Sequence, residues 1–197
     1  MNSPEENKAQ SVGRFRPALT LYHPNAKGTG AALRMSLHPA HDDVSGCIML
    51  TLASQLTTGD SRGPNPVFPR FDWENKMTVK LDFDDITRML QVFRGECESI
   101  ADGRGLYHST SAFTTKILLR HSVEPSAGYS LELYRNSRDG KDESRARIFL
   151  APNEALGICC SVESSLGVIA FGIPMLVEHD TSEYRARERN ARNVTAA

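Results

Sequence analysis

The sequence predicts an α+β fold built from two antiparallel sheets, each followed by a helix, in the order ββββα-ββββα. Three observations carry this. Segments with an apolar residue at every second position recur in both halves of the chain, the period of half-buried strands. Two segments space their apolar residues as an amphipathic helix does, and each closes one half. Strands are thereby segregated from helices, which indicates antiparallel α+β rather than a doubly wound sheet.

In chain order, residues 1–14 are polar and rich in Ser, Asn and Glu, and read as a disordered tail. A first strand runs from Phe15 to Tyr22 and ends at His23-Pro24. Lys27-Gly28-Thr29-Gly30 makes a turn, after which Leu33, Met35 and Leu37 alternate with Arg34, Ser36 and His38. The segment from His38 to Asp43 is the next turn, and Cys47 to Leu52 is the third strand. Thr57 to Pro69 carries Gly59, Gly63, Pro64, Pro66 and Pro69 without apolar periodicity and reads as a loop. Thr78 to Leu81 is the fourth strand. Asp82 or Asp84 caps a helix in which Ile86, Met89, Leu90 and Phe93 share one face, closed by Gly95.

The second half repeats this order. Leu106 to Ser109, Thr114 to Val123, a strand through Tyr129, Leu131 and Leu133, and Ala146 to Leu150 are its strands, with a charged loop from Asn136 to Ser144. Pro152-Asn153-Glu154 opens a long helix that reaches about Phe171. One domain is expected over 15–176, followed by a polar tail at 177–197.

Composition narrows the function classes. The longest apolar stretch, near Val168 to Val177, is interrupted by Gly172 and Pro174 and is too short to span a bilayer. The acidic, polar N-terminus does not read as a signal or transit peptide, so an intracellular setting is expected, cytoplasmic if the source is bacterial. Cys47, Cys97, Cys159 and Cys160 form no CxxC pair, which suggests thiols in a reducing compartment. The formal net charge is −1, but its distribution is uneven. No Asp or Glu occurs between Ser11 and His41, and bases outnumber acids between Arg104 and Arg147. Carboxylates gather at Asp82-Asp84-Asp85 and Glu96-Glu98.

The residue types admit three chemistries. His38, His41 and Asp42 have donor types for a divalent metal and would make a metal-dependent enzyme, but they occupy a turn and no second ligand cluster accompanies them. Cys97 or Cys159-Cys160 with His108 or His121 could serve nucleophilic catalysis, yet no nucleophile elbow flanks them. The Gly28-Thr29-Gly30 turn invites a nucleotide-pocket reading, but those patterns need a helix after the glycines, and here a strand follows. An extended chain of phosphates touching Lys27 and backbone amides survives that test. Tyr22, Phe71, Trp73, Tyr107, Tyr129 and Tyr134 fall on or beside strands, interleaved with Arg34, Lys76, Lys80, Lys116, Arg120 and Arg135. Stacking aromatics among cations suit a single nucleic-acid strand; the competing reading is core aromatics beside a solvated charged face.

Lys27-Gly28-Thr29-Gly30-Ala31-Ala32-Leu33 resembles the Lys-Gly-Lys-Ala-Ala-Leu motif of the Whirly family of single-stranded DNA-binding proteins. Phe71-Asp72-Trp73-Glu74-Asn75-Lys76 resembles that family's Tyr-Asp-Trp-Ser-Arg-Lys segment, and Gly95-Glu96-Cys97-Glu98 its Glu-Ser-Cys-Glu. The resemblance covers roughly Arg16 to Pro174. It implies two four-stranded sheets packed roughly perpendicular, a homotetramer with a helical core, and binding of single-stranded DNA between protomers. The related kinetoplastid guide-RNA-binding proteins keep RNA open as the strand. Transcription regulation is one process the resemblance suggests, beside replication, repair and RNA processing. Carried over with the basic residues above, the binding residues are Tyr22, Lys27, Gly28, Thr29, Gly30, Ala31, Ala32, Leu33, Arg34, Trp73, Lys76, Lys116 and Arg120. No catalytic residue, cofactor, metal or membrane partner is expected; a structural assembly protein of the same fold is the remaining alternative. The motif's second lysine is missing, replaced by Thr29-Gly30.

Overall fold

Alternating apolar positions do form strands, and their registers define two sheets. A computed structural model describes residues 18–41, 43–60, 64–123 and 126–172; the expected tails at 1–14 and 177–197 lie outside them. The first sheet has the order β1 (Ala18–His23), β2 (Ala31–His38), β3 (Cys47–Thr57) and β5 (Met77–Leu81). The two-residue β4 (Arg70–Phe71) pairs with the end of β3 at Gln55 and Thr57, so this sheet has five strands rather than four. The second sheet has the order β6 (Leu106–Ser109), β7 (Phe113–Ser122), β8 (Gly128–Ser137) and β9 (Glu143–Leu150). Every strand pairing in both sheets is antiparallel.

Two boundaries move from the sequence expectation. β3 continues five residues past Leu52 because Gln55 and Thr57 find partners in β4. β9 begins at Glu143 instead of Ala146, since an edge strand can carry charged residues on its solvent side. The charged loop after β8 is correspondingly shorter.

The inward faces meet in one core. Ala31, Leu33 and Met35 of β2, with Ile48, Leu50 and Leu52 of β3, join Ile117, Leu119, Leu131, Leu133, Ile148 and Leu150 of the second sheet. Helix α1 (Phe83–Phe93) adds Ile86, Met89, Leu90 and Phe93 to it, the face expected from their spacing. Asp82 is its N-cap: its carboxylate accepts from the Asp85 amide at 3.0 Å, and the Asp85 carboxylate accepts from the Asp82 amide at 3.1 Å. The Asp85 carboxylate also lies 3.1 Å from His108 Nε2, which ties α1 to β6.

Helix α2 (Pro152–Phe171) contributes Ala155, Ile158, Cys159, Val162 and Ile169 to the core. Its ends are held by the first sheet. Glu154 accepts from the Ala151 amide at 2.9 Å and meets His23 Nε2 of β1 at 2.7 Å. At the other end, the Val168 carbonyl accepts from Ala40 N and the Ile169 carbonyl from Gly46 N, at 3.2 and 3.1 Å. The turn after β2 therefore caps α2, satisfying carbonyls that a helix C-terminus leaves open. By length and composition α2 also suffices to cross a bilayer, unlike the shorter stretch considered from sequence; 28% of its most apolar window is buried.

Gly46 is needed at that junction because a Cβ there would lie 2.7 Å from Ile169 Cα and from the Ile169 carbonyl oxygen. Gly46→Ala should destabilise the protein by about 1–3 kcal/mol through overpacking against backbone. Gly157, inside α2, has open space where its Cβ would be. Gly157→Ala should stabilise the folded protomer by about 0.5–1 kcal/mol through helix propensity. Chemical denaturation of both variants checks the pair of opposite signs.

Candidate nucleic-acid interface

The turn from Pro24 to Gly30 is built on one buried side chain. Gln55 points from β3 into the turn, and its Oε1 accepts from Asn25 N at 2.9 Å and Gly30 N at 3.1 Å. Its Nε2 donates to the carbonyls of Asn25 and Thr57, at 3.1 and 3.0 Å. The backbone of Gln55 is used as well, its amide donating to the Gly30 carbonyl at 2.8 Å. Asn25 organises the tip: its Oδ1 accepts from Lys27 N at 3.0 Å and Thr29 N at 3.1 Å, and its Nδ2 donates to Thr29 Oγ1 at 3.1 Å. Gly28 takes φ +70°, where glycine is favoured. A side chain at Gly30 would run into the His23 carbonyl and Gln55 Oε1. The Thr29-Gly30 replacement thus has a local cause, because the position next to β2 has no room for a lysine. Lys27 projects from the tip and is exposed.

Beside the turn stands an aromatic cluster. Tyr22 packs against Phe71 with ring centroids 5.4 Å apart and edge-on to Trp73 at 6.4 Å. Such tilted and edge contacts are favoured by ring quadrupoles, and Tyr22 remains 56% exposed. Trp73 is held by its amide donating to the Phe71 carbonyl at 3.0 Å, while its own carbonyl accepts from Lys76 Nζ at 3.0 Å. The Asp72 carboxylate accepts from the side chain and amide of Asn75, at 3.0 Å each, which closes the loop that presents Trp73 and Lys76. Those bonds from Asn75 hold the Asp72 carboxyl below its usual value.

The register extends this surface across the first sheet. Tyr22 is opposite Ala32, which is opposite Ala53; Thr20, Arg34, Thr51 and Thr78 form the next row, with Met49 and Lys80 beyond. Ala32 and Ala53 point away from the core yet are fully buried, so small side chains leave space beside the rings. Three expected site residues are enclosed within the protomer. Ala31 and Leu33 are core residues, Ala32 is covered, and β2 is paired on both edges, which leaves no strand edge at 31–33 for a nucleic-acid contact within the protomer.

The remaining expected residues divide between two surfaces. Tyr22, Lys27, Gly28, Thr29, Gly30, Arg34, Trp73 and Lys76 belong to the outer side of the first sheet and its turn. Lys116 and Arg120 lie on β7 at positions alternating with the core residues Ile117 and Leu119, so they face outward from the second sheet. Gln55, Asn25 and Phe71 were not among the expected site residues. A lone amide just past a predominantly apolar strand is the one signal that could have pointed to Gln55, since buried polar groups are kept where they have partners.

The other chemistries find little here. His41 pairs with Val44 through the backbone in the turn that caps α2, and Asp42 lies outside the described residues. Among the described residues no group of three or more His, Cys, Asp or Glu is arranged to hold a metal. His108 is directed at Asp85, and His121 lies against the Tyr129 ring at 4.9 Å. Burial pushes the Cys159 thiol upward, away from a reactive thiolate.

No protein-family model matches the sequence, and no curated protein matches it. Solved structures do match. WHY3 from Arabidopsis thaliana aligns with a TM-score of 0.61 and 15% identity, over 79% of this chain and 89% of that one. The plant transcriptional regulator PBF-2 aligns with a TM-score of 0.60 and 13% identity, over 79% and 83%. The trypanosome MRP1/MRP2 structure aligns with a TM-score of 0.52 and 16% identity, over 78% and 86%. This chain has the fold of the Whirly proteins, which it shares with MRP1/MRP2.

Proposed function

We propose that this chain is a non-catalytic binding protein for single-stranded DNA, with RNA as the competing strand, acting with little sequence specificity and as a homotetramer. The observation that carries the reading is the Tyr22–Phe71–Trp73 cluster, open to solvent at the end of a sheet face and flanked by Lys27, Arg34 and Lys76. Stacking on such rings accepts any base, and lysines and arginines follow the phosphates. The shared fold with a plant transcriptional regulator supports the reading, and regulation of transcription is one process it would suit.

Self-association is supported by α2. The helix is apolar along most of its length, yet Leu156 is 65% exposed, and Gly157, Ser161 and Ser164 leave a shallow strip beside it. Another protomer's helix would cover that surface. Sedimentation of the purified chain should report a tetramer, and Leu156→Glu should shift it to smaller species with the protomer still folded. A monomeric wild type would remove the tetramer from the proposal and leave the binding surface to be tested separately.

Titration of a labelled single-stranded oligonucleotide over a salt series tests the binding itself. Affinity should fall with salt, with a log–log slope near −0.7 per phosphate neutralised. Lys27→Ala should make that slope shallower by about 0.7. Gln55→Leu should cost roughly 1–3 kcal/mol of stability by leaving the amides of Asn25 and Gly30 without their acceptor, and should weaken binding through the displaced turn. Absence of binding to both DNA and RNA at low salt would overturn the reading.

A further inference from the structure

The outer side of the second sheet has a composition that the first-sheet surface does not explain. Tyr107, Lys116, Tyr134 and Arg145 stand side by side across β6, β7, β8 and β9, in direct cross-strand register. Aromatic and cation alternate along the row. Lys116 Nζ is 5.3 Å from the centre of the Tyr107 ring, and Arg145 Cζ is 4.8 Å from that of Tyr134. With neighbouring strands ~4.8 Å apart, the two tyrosines are separated by about 10 Å. Arg147 lies in the next row on this side and Arg120 in the row beyond it, both exposed.

In the next row on the same side is a buried carboxylate. Glu132 Oε2 accepts from Tyr134 Oη and from Arg145 Nη2, both at 2.7 Å, and Oε1 accepts from Ser130 Oγ at 3.2 Å with Arg147 Nε at 3.6 Å. Burial pushes its carboxyl up, but the bonds from Tyr134 and Arg145 and the charges of Arg145 and Arg147 outweigh this and leave it below the usual value. Glu132 is therefore ionised at neutral pH, with a tyrosine and two arginines gathered over it. A carboxylate buried on an outward face brings no core packing, and burying it is costly unless it is paired. What it does is fix the rotamers of Tyr134 and Arg145, lowering the ordering cost of any ligand that uses them. Lys116, Arg120, Arg145 and Arg147 outnumber Glu132 and the rim residue Glu143 on this side, so the complementary occupant is anionic. Tyr107 is exposed and Tyr134 half-buried, and a four-stranded antiparallel sheet with aromatics on its solvent side is a recurrent platform for two or three stacked bases.

We propose that the outer face of β6–β9 is a second platform for single-stranded nucleic acid. It takes two bases on Tyr107 and Tyr134, places phosphates on Lys116, Arg145 and Arg147, and uses Glu132 as its positioning residue. The inference rests on the single-strand reading above and assigns it a surface on the opposite sheet.

Photocrosslinking of the full chain with oligonucleotides carrying 5-iodouracil, as DNA and as RNA, locates the bases. Peptide mapping should find adducts at Tyr107 and Tyr134 in addition to the Tyr22–Phe71–Trp73 cluster. Adducts confined to that cluster, with binding intact, would overturn the second platform while leaving the single-strand reading in place. No binding by wild type to either strand would overturn both. Tyr107 is 61% exposed on an edge strand, so Tyr107→Ala keeps the fold. It should weaken binding roughly 5- to 150-fold, the loss of one stacked base. Glu132→Gln removes the charge that holds Arg145 in place over the row and should make the log–log salt slope shallower by about 0.7, as one phosphate contact is lost. An unchanged slope would deny Glu132 its positioning role, since a purely structural part in folding would not move it.

Discussion

The four hydrogen bonds of the Gln55 side chain are the constraint on which the first surface depends. A turn of seven residues between β1 and β2 could take many shapes, and the ordering cost is about 1–2 kcal/mol for each backbone residue fixed. One buried amide, using its oxygen twice and its nitrogen twice, clamps both ends of that turn to β3. Asn25 then shapes the tip around Lys27. The same contact dictates glycine at position 30, because the amide oxygen and the His23 carbonyl occupy the space a side chain would need. β3 must in turn extend past Leu52 to bring Gln55 within reach, and that extension recruits β4 and so places Phe71 against Tyr22. Turn, extra strand and aromatic cluster are consequences of a single polar residue.

A second dependence runs through α2. Both of its ends are fastened to the first sheet, by His23 at Glu154 and by the Ala40 and Gly46 amides at Val168 and Ile169. The helix follows β9 in the chain, so these contacts bind the second half of the molecule to the first beyond what the shared apolar core does. His23 also ends the strand that leads into the Lys27 turn. The turn that carries Lys27 and helix α2 are thereby joined through the His23–Glu154 contact.

The order of elements is legible in the sequence because it depends on local pattern. The alternation of Leu33, Met35 and Leu37, the i, i+3, i+4, i+7 spacing of Ile86 to Phe93, and Pro152 before a long apolar run each express a period that the backbone imposes. Strand ends are less legible: Ser54, Gln55 and Thr57 have no apolar period, and their pairing depends on Phe71, far along the chain. Motif similarity carries Ala31, Ala32 and Leu33 into a binding site, but similarity reports position and not exposure. Only the registers of β1, β2 and β3 reveal that these residues are enclosed. The division of the cations between two sheets is likewise invisible in a linear list, since it depends on which side of each strand faces the core.

That division reconciles cationic surfaces with a net charge of −1. Five of the carboxylates are committed to the two α-helices, and others lie in turns and loops. Asp82 and Asp85 form the capping box of α1, Asp84 pairs with Arg88 at 2.7 Å, Glu163 with Arg94 at 2.6 Å, and Glu154 caps α2. Acids at helix N-termini are favoured by the dipole and by open amides, so they are drawn to that part of the fold for structural reasons. The strands' outward positions are left to Arg34, Lys80, Lys116, Arg120, Arg145 and Arg147, with Glu132 and Glu143 as acids among them. Screening confines each surface charge to neighbours within about 8–10 Å, so a ligand on a sheet meets the local cations and not the chain's total. A nearly neutral protein of this fold can therefore present cationic faces, because among the described residues its carboxylates lie mainly in helices, turns and loops rather than on the strands.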